Sequence, residues 1–419
     1  MVRGISISTL GNLSLSQPIQ QGRSKTHSPC RIPSQIPSRT SRATPCSIPI
    51  HPPSTRSQPL TAHLSPVNPP TQPHFTLYAK REDHSSPLAC AGNKYRKLEY
   101  IVPDILSPSQ SHGSAPAPAT TTLVTEGAVQ SNHTIQVAAV AQRLGLKAVV
   151  LLGKNVGGGL AAAADKDTFL RLGNVQIARL LGAEVRFLDE EPQAAVGGGS
   201  SDEVDPVAKV LNELRRDRSM PYWIPSGASL HPLGGLGYAR CAFEIAMQEQ
   251  ETELAGSGRF DYIFVACGSG STVGGLIAGF KLLEKLKEGQ SPRKVIGILN
   301  SPTKPCEHHK CRVLDFARRA ASLIGLDPER DITMDDVRLD DRFVGSAYGV
   351  LDPETRRTLE LMAQKEGVLL DPVYTAKVLR GMIHSVQHGE LALPPSQHVN
   401  ALFIHTGGQS ALGAYADVD

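Results

Sequence analysis

Two lysines three residues apart, Lys94 and Lys97, sit in the segment Ala91-Gly92-Asn93-Lys94-Tyr95-Arg96-Lys97-Leu98-Glu99-Tyr100, so on a helix they share one face. An aldehyde-bearing cofactor needs one amine to condense with its carbon and can use a second cation for a phosphate. Far downstream, Ala266-Cys267-Gly268-Ser269-Gly270-Ser271-Thr272 follows the apolar run Tyr262-Ile263-Phe264-Val265 and precedes small residues with helical spacing. A strand, a Gly/Ser turn and a helix N-terminus in that order present backbone N–H groups to an anion. Taken singly, the lysine pair also reads as a solvated face and the turn as a plain connector. Together they fit pyridoxal 5'-phosphate, held by a Schiff base at one end and by amides at the other.

Elements able to position these groups are legible on either side of them. Apolar runs of strand length, Thr122-Leu123-Val124, Ala148-Val149-Val150-Leu151-Leu152, Val185-Arg186-Phe187-Leu188, Val295-Ile296-Gly297-Ile298-Leu299 and Ala401-Leu402-Phe403-Ile404, alternate with helical periodicity such as Val137-Ala138-Ala139-Val140-Ala141. The alternation predicts an α/β fold with parallel sheets. Gln176 to Ala183 reads as a helix ended by Gly182 and followed by a strand at Val185. Three stretches rich in Gly, Ala, Ser or Pro (107–119, 157–166 and 194–205) read as surface insertions.

The 419 residues, 40% of them hydrophobic, suffice for a large core and two domains. The formal charge of +3 is carried by the start of the chain: Arg3, Arg23, Lys25, Arg31, Arg39, Arg42 and Arg56 precede the first acid, Glu82. With those seven set aside the balance is slightly negative, which gives no reason to invoke nucleic acid or an anionic membrane. The basic, Ser- and Pro-rich opening resembles a mitochondrial transit peptide, with a disordered tail as the plainer reading. The location expected is mitochondrial or cytoplasmic. No apolar run approaches the ~18 residues that span a bilayer. Seven widely spaced cysteines argue against a disulfide framework.

Six segments in order, Leu77-Tyr78-Ala79-Lys80-Arg81-Glu82-Asp83, Asn93 to Glu99, Gln130-Ser131-Asn132-His133, the 268–272 loop, Leu370-Asp371-Pro372-Val373-Tyr374-Thr375 and His405-Thr406-Gly407-Gly408, resemble the family of 1-aminocyclopropane-1-carboxylate (ACC) deaminases and D-cysteine desulfhydrases. The resemblance runs from about Ser47 to the C-terminus. It implies the pyridoxal-phosphate fold of tryptophan-synthase-β type, two parallel-sheet domains with the cofactor in the cleft between them. Carried onto this chain, residues 1–43 are a leader, 44–97 with 229–419 a large domain, and 98–228 a smaller inserted one. A small amino acid is the expected substrate and a homodimer the expected assembly.

The same resemblance assigns roles. Lys94 matches the Schiff-base lysine. Lys97 matches a phosphate contact, beside Gly268, Ser269, Gly270, Ser271 and Thr272. Asn132 would bond the phenolic oxygen of the cofactor, and Ser131 the substrate carboxylate or a moving proton. His133 could titrate in the site or serve in packing or hydrogen bonding, as buried histidines commonly do. Tyr348 and Tyr374 match tyrosines that approach the substrate, where a phenol can move a proton; core packing is the bland reading.

Two positions bear on substrate. Deaminases carry a glutamate where this chain has Thr375, and a leucine where it has Thr406. A neutral residue near the ring nitrogen stabilises the pyridinium less, and expelling a thiolate needs less carbanion stabilisation than opening a ring. This favours D-cysteine desulfhydrase, giving pyruvate, sulfide and ammonia, with ACC deaminase as the alternative. His231-Pro232-Leu233-Gly234-Gly235 points the other way, being closer to the deaminase wording. Another lyase or β-replacement enzyme, or a cofactor-binding protein without turnover, remain further readings. Cys306-Glu307-His308-His309-Lys310-Cys311 lacks a spaced second half for a tetrahedral zinc site, and the resemblance implies the start of a surface helix there, so no metal is expected.

Overall fold

Strand-length apolar runs bounded by turn formers dictate a parallel-sheet protein, and the computed structural model is one. It describes residues 57–59, 74–107, 119–153, 170–188, 205–252, 254–287, 291–392 and 398–415. The leader, and nearly all of the three stretches expected as insertions, lie outside these. In chain order the strands are β1 (Ser57–Pro59), β2 (His74–Arg81), β3 (Thr122–Ala128), β4 (Lys147–Gly153), β5 (Glu184–Leu188), β6 (Pro221–Ile224), β7 (Tyr262–Cys267), β8 (Lys294–Leu299), β9 (Arg338–Asp340) and β10 (His398–His405). The main helices are α1 (Lys94–Leu106), α2 (Asn132–Leu144), α3 (Asn174–Leu180), α4 (Pro206–Arg216), α5 (Leu236–Glu251), α6 (Ser271–Leu286), α7 (Cys306–Leu323), α8 (Pro353–Glu366) and α9 (Thr375–Gln387). All six predicted strands form, and the helix predicted over 176–183 ends at Leu180, with Gly182 left-handed at φ +73°. The strands that periodicity missed, β1, β2, β6 and β9, include three of only three or four residues, too short to reveal a period.

One sheet has the order β1-β2-β10-β7-β8-β9, parallel except at β1; the other, β5-β4-β3-β6, is parallel throughout and comes from residues 122–224. The large sheet is buried on both faces. Along β7, Ile263, Val265 and Cys267 enter one core with Leu402 and Ile404, whereas Tyr262, Phe264 and Ala266 enter another with Ala401 and Phe403. That is the period-2 alternation of a strand with helices on either side, and explains why β7 reads as a continuous apolar run. The small sheet repeats it: Ala148, Val150 and Leu152 face one cluster and Val149 and Leu151 the other.

α1 is fixed from two directions. Gly92 bridges to Gly407, and a Cβ at either would stand 2.7 Å from the Thr406 carbonyl oxygen or 2.6 Å from that of Ala91, so only two glycines allow this approach. Behind α1, buried Arg96 donates Nη2 to Glu82 Oε1 at 2.7 Å and Nη1 to Glu244 Oε2 at 2.9 Å. Lys80 Nζ joins Glu244 at 2.7 Å and Gln248 at 3.0 Å. Burial would raise the Glu244 carboxyl, but Arg96 and Lys80 hold it below the usual range. Removing one partner strands buried charges, at a cost of roughly 3–5 kcal/mol. Arg96→Leu should therefore lower unfolding stability by about that amount, read from urea denaturation of the full chain. A loss under about 1 kcal/mol would mean water relieves Glu82 and Glu244.

Candidate functional site

Parallel strands release their chains into loops at one edge, and here β3, β6, β7, β8 and β10 end around a single cavity of about 620 Å³. β3 delivers Ser131, Asn132 and His133, β7 the loop from Gly268 to Thr272, and β10 Thr406. Lys94, at the first residue of α1, opens onto the same cavity, as do Tyr348 and Tyr374. Among the described residues no aspartate or glutamate lines it.

Lys94 Nζ donates to Asn93 Oδ1 at 3.2 Å, and burial depresses its ammonium to about 8. Asn93 Nδ2 in turn donates to Thr272 Oγ1 at 3.2 Å, tying the start of α1 to the first turn of α6. Ser131 caps α2 by accepting from His133 N at 3.3 Å. The His133 ring is buried, with Nε2 2.9 Å from Thr125 Oγ1 and Nδ1 unpartnered. Burial, then the charges of Lys94 and Lys97, push its pKa well down, so the ring is neutral. Asn132 Oδ1 accepts from Asn174 Nδ2 at 3.0 Å. The hydroxyls of Tyr348 and Tyr374 are hydrogen-bonded, their rings 6.1 Å apart, and burial raises both phenols.

Three expected cofactor contacts lie off the cavity wall. Lys97 is fully buried, and its Nζ donates to the Gly227 carbonyl at 3.0 Å, beneath a turn that itself lines the cavity. Ser271 is turned inward, 2.9 Å from Ser229 Oγ. Thr375 starts α9 with its hydroxyl donating to Asp371 Oδ1 at 2.7 Å and accepting from Asp371 N at 2.7 Å, a local cap that consumes both roles of the oxygen. Of the residues expected, Lys94, Ser131, Asn132, His133, Tyr348, Tyr374, Thr406, Gly268, Ser269, Gly270 and Thr272 are brought together.

The wall also holds residues that sequence reasoning passed over. Ser229 Oγ donates to Ser269 Oγ at 2.6 Å. Asn300 follows β8, and His309 and Arg312 lie on α7, the helix predicted from the Cys306–Cys311 segment. Asn300 could have been found, since it directly follows a predicted strand and ligands gather at strand C-termini. Among the described residues no group of three or more His, Cys, Asp or Glu could hold a metal.

The residues fit pyridoxal phosphate. Gly270, at φ +103°, and Thr272 line an acid-free cavity at the start of a 16-residue helix, and a Cβ on Gly268 would come 3.3 Å from Asn300 Nδ2, filling the cradle. Lys94 puts an amine on the cavity wall, and Asn300 keeps both amide atoms buried without a partner.

Comparison with known proteins agrees. The family described as "Pyridoxal-phosphate dependent enzyme" matches residues 60–407. A protein named 1-aminocyclopropane-1-carboxylate deaminase from Ralstonia nicotianae is 42% identical over 81% of this chain and 88% of its own length. Its namesake from Methylobacterium nodulans is 40% identical, with the same shares covered. A crystal structure titled as an ACC deaminase homologue superposes with a TM-score of 0.61 at 30% identity, covering 82% of this chain and 87% of that one. An O-ureido-L-serine synthase, at 13% identity and TM-score 0.51 over 84% of this chain and 91% of its own, shares the fold.

Only a neutral amine attacks an aldehyde, so capture of pyridoxal phosphate by the cofactor-free chain should speed up with pH and level off near 8, where Lys94 loses its proton. Stopped-flow absorbance between about pH 6 and about pH 10 reads this. A rate still climbing at the upper end would mean that the amine is solvated like a free lysine.

Proposed function

The chain belongs to the family of pyridoxal-phosphate-dependent enzymes, and we propose that its place there is as a lyase of the ACC deaminase type, converting 1-aminocyclopropane-1-carboxylate to 2-oxobutanoate and ammonia. The supporting observation is similarity to proteins of that name along most of both chains, with Lys94, Ser131, Asn132, Tyr348 and Tyr374 on one cavity wall. D-cysteine came first on the identities of Thr375 and Thr406; the similarity to deaminases reverses that order.

When bound, pyridoxal phosphate supplies an electron sink for the substrate's Cα. Lys94 would hold it, the 268–272 loop would take its phosphate, and Asn132 its phenolic oxygen. The N-terminus of α2, with the Ser131 hydroxyl, would receive the substrate carboxylate. ACC has no hydrogen on Cα, so its ring cannot open by Cα proton abstraction. A group must act at the ring methylene and later deliver a proton there. The Tyr348 and Tyr374 hydroxyls, kept protonated by burial, hold such a proton, and Lys94 exchanges one near neutral pH. Neutral His133 keeps a second charge away from Lys94.

D-cysteine β-elimination is the second reading, favoured by the neutral Thr375 and by Thr406 on the wall. That reaction starts at a Cα hydrogen and needs only one base. Incubation of the full chain with ACC, D-cysteine, L-cysteine and β-chloro-D-alanine separates the two. Faster 2-oxobutanoate from ACC supports the deaminase; faster sulfide from D-cysteine replaces it with the second reading.

Lys94→Ala should leave no cofactor that borohydride can fix to the protein, because Lys94 is the lysine amine on the cavity wall among the described residues. Persistence of a reducible adduct would place the covalent link elsewhere. Tyr374→Phe and Tyr348→Phe should each keep the cofactor and lower kcat by about 10²- to 10⁴-fold, the usual worth of a positioned proton donor. Unchanged kcat in both would reduce the pair to packing.

A further inference from the structure

The cavity wall carries polar atoms that the chemistry at Lys94 does not use. Asn300 is 1% exposed, and neither its amide nitrogen nor its oxygen has a hydrogen-bond partner. From the first two turns of α7, His309 and Arg312 line the same cavity, and His309 Nε2 and Arg312 Nε are likewise buried without partners. Arg312 Nη2 donates to the Gly268 carbonyl at 2.7 Å and contacts His309 Nδ1 at 2.8 Å. A guanidinium can only donate, so Nδ1 accepts and the neutral ring carries its proton on Nε2. Burial, Arg312 and His308 keep that ring neutral against the pull of the Lys304 carbonyl. Asn300 and Arg312 thus offer buried N–H donors with nothing to receive them, and the His309 ring, which also faces the Lys304 carbonyl, stands beside them.

Charge says what they receive. A phosphate monoester near pH 7 carries close to two negative charges, and a cation beside the loop amides strengthens its hold by charge-assisted hydrogen bonds. Lys94 is committed to the aldehyde, and Lys97 lies off the wall, its pKa pushed well down by burial and by Lys94 while its Nζ donates to the Gly227 carbonyl. Among the described residues, Arg312 is then the remaining lysine or arginine on the wall. Both Arg312 and Asn300 flank Gly268, the glycine that opens the Gly/Ser loop.

We propose that Asn300, His309 and Arg312 form an oxyanion corner that holds the cofactor phosphate together with the loop amides. Arg312 takes the charge-neutralising part that the family resemblance gives to Lys97. All three are positioning residues, since none is placed at the reacting carbon. The inference rests on family membership and not on the choice of substrate, so it is tested without substrate.

The full chain, stripped of cofactor, is titrated with pyridoxal 5'-phosphate and with pyridoxal, which lacks the phosphate. Arg312→Met and Asn300→Asp should each weaken the phosphorylated form at least about tenfold while leaving pyridoxal within about twofold. Arg312→Lys should recover part of the loss, and the ³¹P resonance of the bound cofactor should shift in Arg312→Met. If Arg312→Met disturbs the loop itself, both forms weaken together, and Asn300→Asp, which keeps the Arg312 contacts, decides. Equal loss of both forms in Asn300→Asp, or no loss, overturns the proposal. So does a selective loss in Lys97→Met that is absent in Arg312→Met, which would restore the phosphate contact to Lys97.

Discussion

A buried guanidinium sets the position of everything that follows in the cavity. Arg96 lies two residues after Lys94 on α1 and is clamped by Glu82 after β2 and Glu244 on α5, so the helix can neither rotate nor slide without stranding charge. The cost of breaking such a set is several times that of an exposed pair. In the proposed role of Lys94, meeting one carbon, this rigidity is an advantage, because about an ångström of misplacement forfeits much of the gain from proximity. The glycine bridge to β10 and the Asn93–Thr272 bond fix the same end of α1 from the cavity side. Lys94 is therefore registered to the strand end and to the 268–272 loop at once.

The electrostatics of the cavity run in one direction. Burial depresses Lys94 and His133 and raises Tyr348 and Tyr374, so each group is driven toward its uncharged form. With no carboxylate on the described wall, an anionic ligand meets donors and no competing acceptor of like charge. This division of labour suits a phosphorylated cofactor and an amino acid carboxylate arriving together. It also accounts for a neutral histidine beside a lysine, where an imidazolium would oppose the incoming amine.

Much of this was readable from residue order. Apart from β6, the strands that end at the cavity are long and apolar, and the Gly/Ser turn sits where a strand meets a helix, so local pattern placed the 268–272 loop at a strand edge, where it shares a cavity wall with Lys94. Three expected contacts lie off the wall for a common reason. Lys97 shares a helical face with Lys94, but periodicity does not tell whether a carbonyl such as that of Gly227 will claim the ammonium. Thr375 and Ser271 were likewise captured by Asp371 and Ser229, partners set by tertiary contact or by cap geometry. Conversely, Asn300 and Arg312 carry no motif; their place on the wall depends on α7 packing against the 268–270 loop, with Phe316 3.2 Å from a Cβ built on Gly270.

The cap at Asp371 changes what the neutral residue at 375 means. Asp371 accepts from Val373 N at 2.9 Å, Tyr374 N at 2.8 Å and Thr375 N at 2.8 Å, and so closes the N-terminus of α9 while holding Tyr374 at the cavity. Burial raises the Asp371 carboxyl, and the cap bonds pull it partly back. A glutamate at 375 would have to exist beside this buried carboxylate, where two like charges resist joint ionisation. It would also remove the hydroxyl that Asp371 N and Oδ1 share. The identity of residue 375 is thus coupled to the placement of Tyr374. A threonine there stabilises the turn that presents the tyrosine, whatever the ring nitrogen of the cofactor requires, so its presence weighs less for D-cysteine than a freely exposed threonine would.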